Sequence, residues 1–419
     1  MKFVLASVGS AGDAHPYIAL GQALRARGHD VAFFSNNEHQ AAAQAAGLAF
    51  LSAGDGLRYN EAIANPHLWH PVKGMGVLWR HLLAPSVVPL YNTLADLHRA
   101  DSTLRVLAGP QMMGARLAQA QLGLHLTSLY TSPAALRSAQ APTTIAHTRW
   151  PSGTPAWLLR SLWRAVDRYK LEPMARTALN AMCTQLGITK PPQDQSLFGQ
   201  WMHSPTHAVT LYPAWFAPHK SDLPRHLVYG DFPQYNLDNQ AHDASQIAAE
   251  IASFCKAGSK PVAVMFGTAM AHAGAQFAVW QEALTQLGLR GVFLSQHEAQ
   301  FPAQRVPHIL VAQYAPFAQL LPHCAALVHH GGIGSCAQAL AAGIPQIIQP
   351  CAHDQFENAR CVAALNAGQI LKRDAQLESI KTALIGWVRT AGNQTAANYQ
   401  QRMAKPHLDG LCIELERTL

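Results

Sequence analysis

Several features are missing from this 419-residue sequence, and each absence removes a class of protein. No stretch reaches the ~18 to 20 consecutive apolar residues that a membrane-spanning helix needs. The net charge is +7, but only 13% of residues are charged and no block of five or six Lys or Arg occurs. A nucleic-acid-binding protein is therefore not indicated.

Motifs for metals and disulfides are also missing. The seven Cys are an odd number, scattered without a Cys-x-x-Cys pair, which argues against a disulfide framework and a structural zinc site and favours a reducing cytosol. Despite 22 His, there is no Asp-x-Asp and no His-Glu-x-x-His motif. We therefore expect neither a metal nor a bound cofactor. The first residues predict a β-strand that enters a Gly-rich turn, not a signal peptide.

What is present is enough apolar material, 49% of residues, for large cores. Short apolar runs alternate with helical patterns in both halves, which predicts two parallel α/β sheets. The predicted elements of the first half are strands at Phe3–Ser7, Asp30–Phe34, Leu104–Ala108 and Leu126–Tyr130, with helices at Tyr17–Arg27 and Gly114–Leu122. The second half has predicted strands at Pro261–Phe266, Gly291–Leu294, Val306–Val311, Ala326–His329 and Gln346–Gln349.

This pattern predicts two Rossmann-like domains and a C-terminal helix. The expected ranges are 1–235, 236–400 and 401–419, because a polar stretch rich in Pro, Asn, Asp and Gln begins near Gly230 and is typical of a linker. We expect the last helix to pack on the first domain. Ligands of such folds bind at the carboxyl ends of the strands, in the cleft between two facing sheets.

The stretch from Ala141 to Gly199 is rich in Trp and Arg and helical in pattern. An amphipathic helix packed on the domain surface explains it in the simplest way. A wall for an apolar ligand, formed by Trp150, Trp157 and Trp163, or a membrane-facing surface is the alternative interpretation.

Three short motifs carry candidate chemistry. Two His and three Gly within His329–Gly334, at the end of a strand and before a helix near Ser335, suit a bound diphosphate, although an ordinary tight turn is the alternative. Asp354 and Gln355 follow another strand and can hydrogen-bond vicinal sugar hydroxyls, or simply cap a helix. In the first turn Asp13 is a candidate general base or a helix N-cap, and His15 is a second candidate base.

The run Tyr314-Ala315-Pro316, the segment His329 to Ser335, and the pair Asp354-Gln355 resemble the donor-binding signature of the family 1 glycosyltransferases of the GT-B fold. Three further segments, Gln200–Pro205, Tyr212–Pro218 and Pro350–Phe356, are similar to the bacterial rhamnosyltransferases that make mono-rhamnolipids.

The resemblance implies a role for each matching residue. Tyr314 would stack on the pyrimidine and Ala315 would bind the base edge through its backbone. The diphosphate would be held by Thr268, His329 and the backbone of Gly331, Gly332, Ile333, Gly334 and Ser335, and the sugar by Asp354 and Gln355. Asp13 matches the family's catalytic base.

Two departures from the plant branch of the family bear on the donor. Phe317 and Ala337 stand where that branch has a Gln and a Glu that reach the ribose, so a 2'-deoxyribose would lose least and dTDP is favoured over UDP. Plant members also carry Trp and Asn where Gly332 and Ile333 stand.

The resemblance therefore implies an inverting, metal-independent transfer of L-rhamnose from dTDP-L-rhamnose to the hydroxyl of a 3-(3-hydroxyalkanoyloxy)alkanoate. The alternatives are a UDP-glucose-dependent transferase acting on a sterol or another apolar molecule, a GT-B sugar-nucleotide epimerase, and a non-catalytic accessory subunit. Expected partners are the nucleotide sugar and an apolar hydroxylated acceptor, without nucleic acid. The expected location is the cytoplasm, with room for peripheral contact at the inner face of the membrane.

Overall fold

The computed structural model describes residues 1–140, 151, 153–234, 242–267, 273–389, 393–404 and 408–417. The chain divides into two compact units. Unit 1 consists of Met1–Pro233 with His407–Leu419, and unit 2 is Gln234–Pro406.

Unit 1 is built on a seven-stranded sheet in which every observed pairing is parallel, in the order β3-β2-β1-β4-β5-β6-β7. Its strands are β1 (Lys2–Ala6), β2 (Asp30–Ser35), β3 (Ala49–Ser52), β4 (Arg105–Ala108), β5 (His125–Tyr130), β6 (His207–Thr210) and β7 (Leu227–Tyr229). β1 is central, and its residues Phe3 to Ala6 are fully buried. A strand covered on both faces needs a continuous apolar run, which is what the sequence supplies there.

Helices connect the strands of unit 1. They are α1 (Ala11–Ala26), α2 (Gln40–Ala45), α3 (Tyr59–Ala64), α4 (Gly74–Leu78), α5 (Ala84–Ala100), α6 (Met113–Leu122), α7 (Ala156–Val166) and α8 (Glu172–Leu186). Single π-helical turns at Trp79–Leu83 and Asp167–Leu171 join α4 to α5 and α7 to α8, and a third lies at Leu197–Trp201. The core on one face of the sheet contains Val4, Phe34 and Val106 with Leu90 of α5 and Leu117 of α6.

Unit 2 has a six-stranded sheet, again parallel in every observed pairing, in the order β10-β9-β8-β11-β12-β13. The strands are β8 (Val262–Met265), β9 (Gly291–Leu294), β10 (Ile309–Ala312), β11 (Ala326–His329), β12 (Gln346–Ile348) and β13 (Gly368–Ile370). The helices are α9 (His242–Lys256), α10 (Gly274–Gln286), α11 (Phe317–Leu320), α12 (Ile333–Ala342), α13 (Gln355–Ala364), α14 (Leu377–Leu384) and α15 (Asn393–Met403). In this sheet β8, β11 and β12 are neighbours, so the loops that follow them lie at one edge.

The last helix, α16 (Leu408–Arg417), belongs to unit 1 and lies against α1. Its Leu411, Cys412 and Leu415 are buried. Glu416 accepts hydrogen bonds from Arg27 Nε and Nη2 at 2.7 and 2.8 Å. The hydrogen bonds from Arg27 and His29 lower the pKa of Glu416 to about 2, so the carboxylate stays charged throughout the neutral range.

The predicted architecture of two Rossmann-like parallel sheets is confirmed. The predicted start of the first helix is wrong, because α1 begins at Ala11 and not near Tyr17. Ser10 is the N-cap of this helix and Asp13 is its third residue, so Asp13 is not the N-cap itself. None of the described helices is long and apolar enough to cross a membrane.

Candidate active site

Three loops of unit 2 follow the neighbouring strands β8, β11 and β12. They bring Gly267, the segment His330 to Gly332, and Asp354 to one edge of the sheet. Parallel sheets bind ligands at this edge, where the strands deliver their carboxyl ends. Thr268, predicted to meet the phosphate, lies outside the described residues.

The side chain of His329 lies inside unit 2 and makes its hydrogen bonds there. As the last residue of β11 it is completely buried. Its Nε2 lies 2.9 Å from Gln346 Oε1, and its Nδ1 accepts a hydrogen bond of 3.1 Å from the Gly331 backbone N–H. Burial and the neighbouring His330 lower the pKa of His329 to about 3, so the ring is neutral. Both ring nitrogens thus make hydrogen bonds inside the unit, and a phosphate contact of this ring would require one of these bonds to be exchanged.

The next residue, His330, is better placed than His329. A Cβ on Gly267 would come within 2.9 Å of its Cε1, and one on Gly332 within 2.7 Å of its Nε2, so the ring lies against both glycines. Burial lowers the pKa of His330 to about 4, which makes it a neutral hydrogen-bonding group. Its Nδ1 has no hydrogen-bond partner among the residues that the structure describes. The sequence prediction missed this residue.

The turn between β11 and α12 is shaped by its glycines. Gly331 has a φ of +92°, and a Cβ there would lie 2.8 Å from the Gln355 carbonyl oxygen. Gly332 is the N-cap of α12, which starts at Ile333, two residues before the predicted start near Ser335. A glycine has no side chain that could cap the helix. The first backbone N–H groups of α12, from Ile333 to Ser335, are therefore suited to an anionic ligand.

Asp354 is connected to this turn through Asn358. Asn358 Nδ2 donates hydrogen bonds to Asp354 Oδ2 at 2.8 Å and to the Gly331 carbonyl at 3.0 Å. Gln355 Oε1 accepts hydrogen bonds from the backbone N–H groups of Cys351 and Ala352, at 2.8 and 3.1 Å, which fixes the loop after β12. Only the Nε2 group of Gln355 is left for a sugar, whereas Asp354 is partly exposed.

The positions predicted for the nucleoside lie at the carboxyl end of β10. Tyr314 is partly exposed and Ala315 is buried. Phe317 is the first residue of α11 and packs against the buried cluster that includes Ala315 and Leu320. Ala337 is buried in α12. Neither Phe317 nor Ala337 offers a polar side-chain atom.

In unit 1, Asp13 is held by the first turn of α1. Its Oδ2 accepts hydrogen bonds from the Ser10 backbone N–H at 2.8 Å and from Ser10 Oγ at 2.9 Å. A Cβ on Gly9 would lie 2.4 Å from the same oxygen, so a glycine is required there. Asn36 follows β2 and exchanges two hydrogen bonds with the Gly9 backbone, at 2.9 and 3.2 Å. The Asp13 carboxylate is exposed on a firmly braced turn.

His15 lies two residues further along the same helix, with its ring centroid 6.4 Å from that of His39. Burial, and then the nearby His39, lower the pKa of His15 to about 4. His39 Nε2 lies 3.0 Å from the Gly9 carbonyl oxygen. The two candidate bases thus lie two residues apart on α1 and on different sides of the helix, one exposed and one largely enclosed.

The three Trp predicted to contact an acceptor have different outcomes. Trp150 lies outside the described residues, and Trp163 is half-buried on α7. Trp157 is 66% exposed on the same helix, which does not support a place in the wall of a pocket.

The motifs in the sequence did not lead to the selection of His330, Asn358 or Asn36. For His330 a signal existed, because the buried strand is predicted to end at His329, which makes His330 the first residue of the loop. The contacts of Asn358 and Asn36 span 27 residues each, to Gly331 and Gly9, and a pattern of local spacing cannot reveal them. Among the described residues, no group of three His, Cys, Asp or Glu could hold a metal ion.

Family models match both ends of the chain. Residues 3–84 match the Glycosyltransferase family 28 N-terminal domain, and residues 292–409 match the C-terminal domain of the Erythromycin biosynthesis protein CIII-like family. The first match covers β1 and the Asp13 turn, and the second covers the loops after β10, β11 and β12. The chain is a glycosyltransferase of the GT-B fold.

Full-length similarity agrees with this fold. An uncharacterized glycosyltransferase of Mycobacterium bovis is 24% identical over 423 residues, which cover 97% of this chain and 95% of the relative. The structure of the kitacinnamycin glycosyltransferase is similar with a TM-score of 0.72 and 18% identity, covering 100% of this chain and 99% of that one. The spinosyn rhamnosyltransferase complexed with thymidine diphosphate gives a TM-score of 0.66 at 20% identity, covering all of both chains.

Proposed function

We propose that this GT-B glycosyltransferase transfers L-rhamnose from dTDP-L-rhamnose to the hydroxyl of a 3-(3-hydroxyalkanoyloxy)alkanoate lipid. The observation that carries the donor choice is the apolar character of Phe317 and Ala337. A ribose 2'-hydroxyl buried beside them would lose its hydrogen bonds to water without replacement, whereas a 2'-deoxyribose has no such group to satisfy. The structural similarity to a rhamnosyltransferase that binds thymidine diphosphate supports the same choice.

In the proposed donor site the base stacks on Tyr314 and its edge meets the backbone of Ala315. The N-terminus of α12, with the backbone of Gly331 to Ser335, holds the diphosphate, and Thr268 adds a hydroxyl. His330 takes the phosphate contact that the sequence analysis gave to His329. A helix N-terminus and a neutral imidazole both offer N–H donors to phosphate oxygens, so no divalent cation is needed in this mechanism.

The proposed sugar contacts come from Asp354 and Gln355. The Asp354 carboxylate accepts from sugar hydroxyls and the Gln355 Nε2 group donates to one. Because Asn358 connects Asp354 with the Gly331 carbonyl, the sugar contact and the phosphate-binding turn are braced against each other.

The proposed chemistry is a single displacement. Asp13 takes the proton of the acceptor hydroxyl as the oxygen bonds to the anomeric carbon, and the bond from that carbon to the diphosphate breaks. The dTDP leaves with the electron pair of that bond, and the anomeric configuration inverts. His15 is the alternative base in unit 1.

The proposed location is the cytoplasm, with peripheral contact at the inner face of the membrane. The nucleotide sugar is soluble in water, whereas an acceptor with two alkyl chains partitions into lipid. An enzyme that joins them would work at the boundary between the two phases.

Transfer assays test the reaction directly. The purified chain is incubated with dTDP-L-rhamnose, UDP-glucose or no donor, each with and without the lipid acceptor, and products are identified by mass spectrometry and by the NMR coupling at the anomeric proton. A rhamnolipid of inverted configuration, formed equally well in the presence of EDTA, is the expected product. Glucosylation of a sterol would replace the proposal, an isomerised nucleotide sugar would indicate an epimerase, and no turnover of any donor would indicate an accessory subunit.

A further inference from the structure

An unusual concentration of exposed apolar side chains lies on α7 and the π-helical turn that follows it. Trp157 and Tyr169 are 66% and 69% exposed, and Leu158, Leu162 and Val166 are also exposed. Half of the ten exposed large apolar residues found in the described part of the chain therefore fall within 13 consecutive positions. We call this set, with the basic residues beside it, the α7 surface.

The basic residues of the α7 surface are Arg160, Arg164, Arg168 and Lys170, and all four are exposed. The one acidic residue between Ala156 and Leu171 is Asp167, which is buried and accepts hydrogen bonds from Arg137 Nη1 at 2.7 and 2.9 Å. The solvent side of this segment is thus positively charged without a compensating exposed acid.

The exposed aliphatic residues and the basic residues of α7 occupy separate edges of the helix. Buried Leu159 marks the side that faces the core of unit 1. Successive residues of an α-helix are about 100° apart, so Leu158, Leu162 and Val166 form a row on one side of Leu159. The row begins about 100° from Leu159 at Leu158 and approaches the side of Leu159 at Val166, and its exposure falls from 44% to 36%. Arg160 and Arg164 lie along the other edge, near Trp157. Exposed aliphatic, Trp and Arg side chains are the types that an amphipathic helix presents to a membrane interface.

The helix is also fixed to unit 1, so its exposure does not reflect a loose segment. Leu159 is buried, and the Arg137–Asp167 ion pair anchors the π-helical turn where α7 ends. That ion pair is enclosed further by Gly199, where a Cβ would lie 2.5 Å from Asp167 Oδ2. A rigid helix with an uncovered apolar row is suited to a partner that covers it.

We propose that the α7 surface docks on a bilayer that contains anionic phospholipids, with the helix axis in the plane of the interface. The aliphatic row and Trp157 enter the boundary between head groups and acyl chains, and the Arg and Lys side chains bind lipid phosphates. This inference rests on the proposed membrane location and names the surface that makes the contact. It depends neither on the transferred sugar nor on the acceptor.

Charge decides between a membrane and a second copy of the chain as the occupant. Two copies that met through this surface would bring two rows of cations together with no exposed acid of the same surface between them, and like charges in contact repel. An anionic lipid surface attracts the same residues.

Vesicle co-sedimentation of the full chain tests the proposal without any nucleotide sugar or acceptor. Vesicles of phosphatidylcholine alone are compared with vesicles containing phosphatidylglycerol, at low and high salt. We expect binding to the anionic vesicles, weakened by salt. The double variant Leu158→Ser/Leu162→Ser should bind about 10-fold more weakly, and the triple Arg160→Ser/Arg164→Ser/Arg168→Ser about 100-fold more weakly at low salt.

Matched controls exclude general effects of the substitutions. Val72→Ser/Ile385→Ser removes two other exposed aliphatic residues and should bind as the unchanged chain does. Replacing the same three Arg by Lys keeps the charge and should retain most of the binding. Circular dichroism and melting temperature confirm that each variant is folded.

Three results would overturn the proposal. The first is that the unchanged chain does not bind anionic vesicles, and the second is that the α7 variants and the control variant bind them equally. The third is that light scattering without lipid shows a dimer of the unchanged chain but a monomer of the Leu158→Ser/Leu162→Ser variant. The last result would assign the surface to a second copy. Rhamnosyl transfer to a detergent-dispersed acceptor is measured separately. If the unchanged chain transfers rhamnose but does not bind anionic vesicles, the docking surface alone is refuted.

Discussion

Asn358 Nδ2 donates a hydrogen bond of 2.8 Å to Asp354 Oδ2, one helical turn earlier in the chain. The same amide group donates to the Gly331 carbonyl at 3.0 Å, and the Asn358 side chain is completely buried. One side chain therefore joins the start of α13 to the glycine turn that precedes α12. If these two segments bind the sugar and the diphosphate, as proposed, they cannot move independently.

Replacing Asn358 should consequently weaken both parts of donor binding. Asn358→Ala leaves the Gly331 carbonyl and Asp354 without this partner, and we expect dTDP and the intact nucleotide sugar each to bind about 1 to 3 kcal/mol more weakly. Asp354→Ala is the matched control, because it removes a sugar contact and should weaken only the nucleotide sugar. Calorimetry with both ligands measures the difference. Unchanged dTDP affinity in Asn358→Ala would contradict the connection.

The two adjacent histidines should respond differently to substitution. His330→Ala removes a ring that lies against Gly267 and Gly332 and is bonded to no described residue through Nδ1, so folding should survive. We expect dTDP binding to weaken by about 1 to 3 kcal/mol, as for the loss of a hydrogen bond to a charged group.

His329→Ala should instead reduce stability. It removes a fully buried ring whose two nitrogens bond to Gln346 and to the Gly331 N–H, and leaves both partners unsatisfied. A loss of about 2 to 4 kcal/mol in the free energy of unfolding is expected, measured by denaturant titration. A stable His329→Ala variant with lost dTDP binding would return the phosphate contact to His329.

Much of the sheet framework could be predicted because its strands are buried on both faces. β9 and β11 have the predicted bounds, since a continuous apolar run between polar turns identifies such a strand. β13, with three residues, is too short to show a period. The start of α1 was misjudged because Gly9, Gly12 and Pro16 are typical of turns. In the structure, the hydrogen bonds between Asp13 and Ser10 stabilise the first turn, and the helix continues through Pro16.

The candidate site could be predicted only at the level of segments. The glycine turn after β11 was found because three glycines before a helix are a local pattern. Which of the two adjacent histidines faces a ligand depends on where the strand ends and on contacts that are distant in the sequence. His330 lies against Gly267, 63 residues away, and His329 is hydrogen-bonded to Gln346, 17 residues away. Such distant contacts leave no periodic trace in the sequence.

Stability should decrease as the pH falls from 6.5 toward 4, because His203 is neutral in the folded chain. Burial, and then the positive charge of Arg137, lower the pKa of His203 to about 4 from the ordinary 6.5. Its Nδ1 lies 2.7 Å from Tyr130 Oη. In this pH window the unfolded chain binds a proton that the folded chain does not, so acid favours unfolding.

The expected loss from His203 is up to roughly 3 kcal/mol between these pH values. The free energy of unfolding in urea is measured at pH 7.5, 6.0 and 5.0 for the unchanged chain and for His203→Gln. The difference between the two proteins isolates the contribution of His203, because Gln does not titrate. The variant should lose less stability on acidification than the unchanged chain. Parallel pH curves for the two proteins would show that His203 is protonated in the folded state as readily as in the unfolded one.

The final prediction concerns the proton transfer assigned to Asp13, whose Oδ2 also accepts hydrogen bonds from Ser10 N and Oγ. A base acts in the transition state, whereas a capping group acts on stability, so the two roles separate by substitution. Asp13→Asn keeps an oxygen that can accept from the Ser10 N–H, and its folding and dTDP binding should survive. Its rate of transfer should fall about 10²- to 10⁴-fold, because a carboxamide cannot take the acceptor's proton. Asp13→Ala should show the same rate loss with roughly 1 kcal/mol less stability. His15→Ala is the control, and if it abolishes transfer while Asp13→Asn remains fully active, the base is His15.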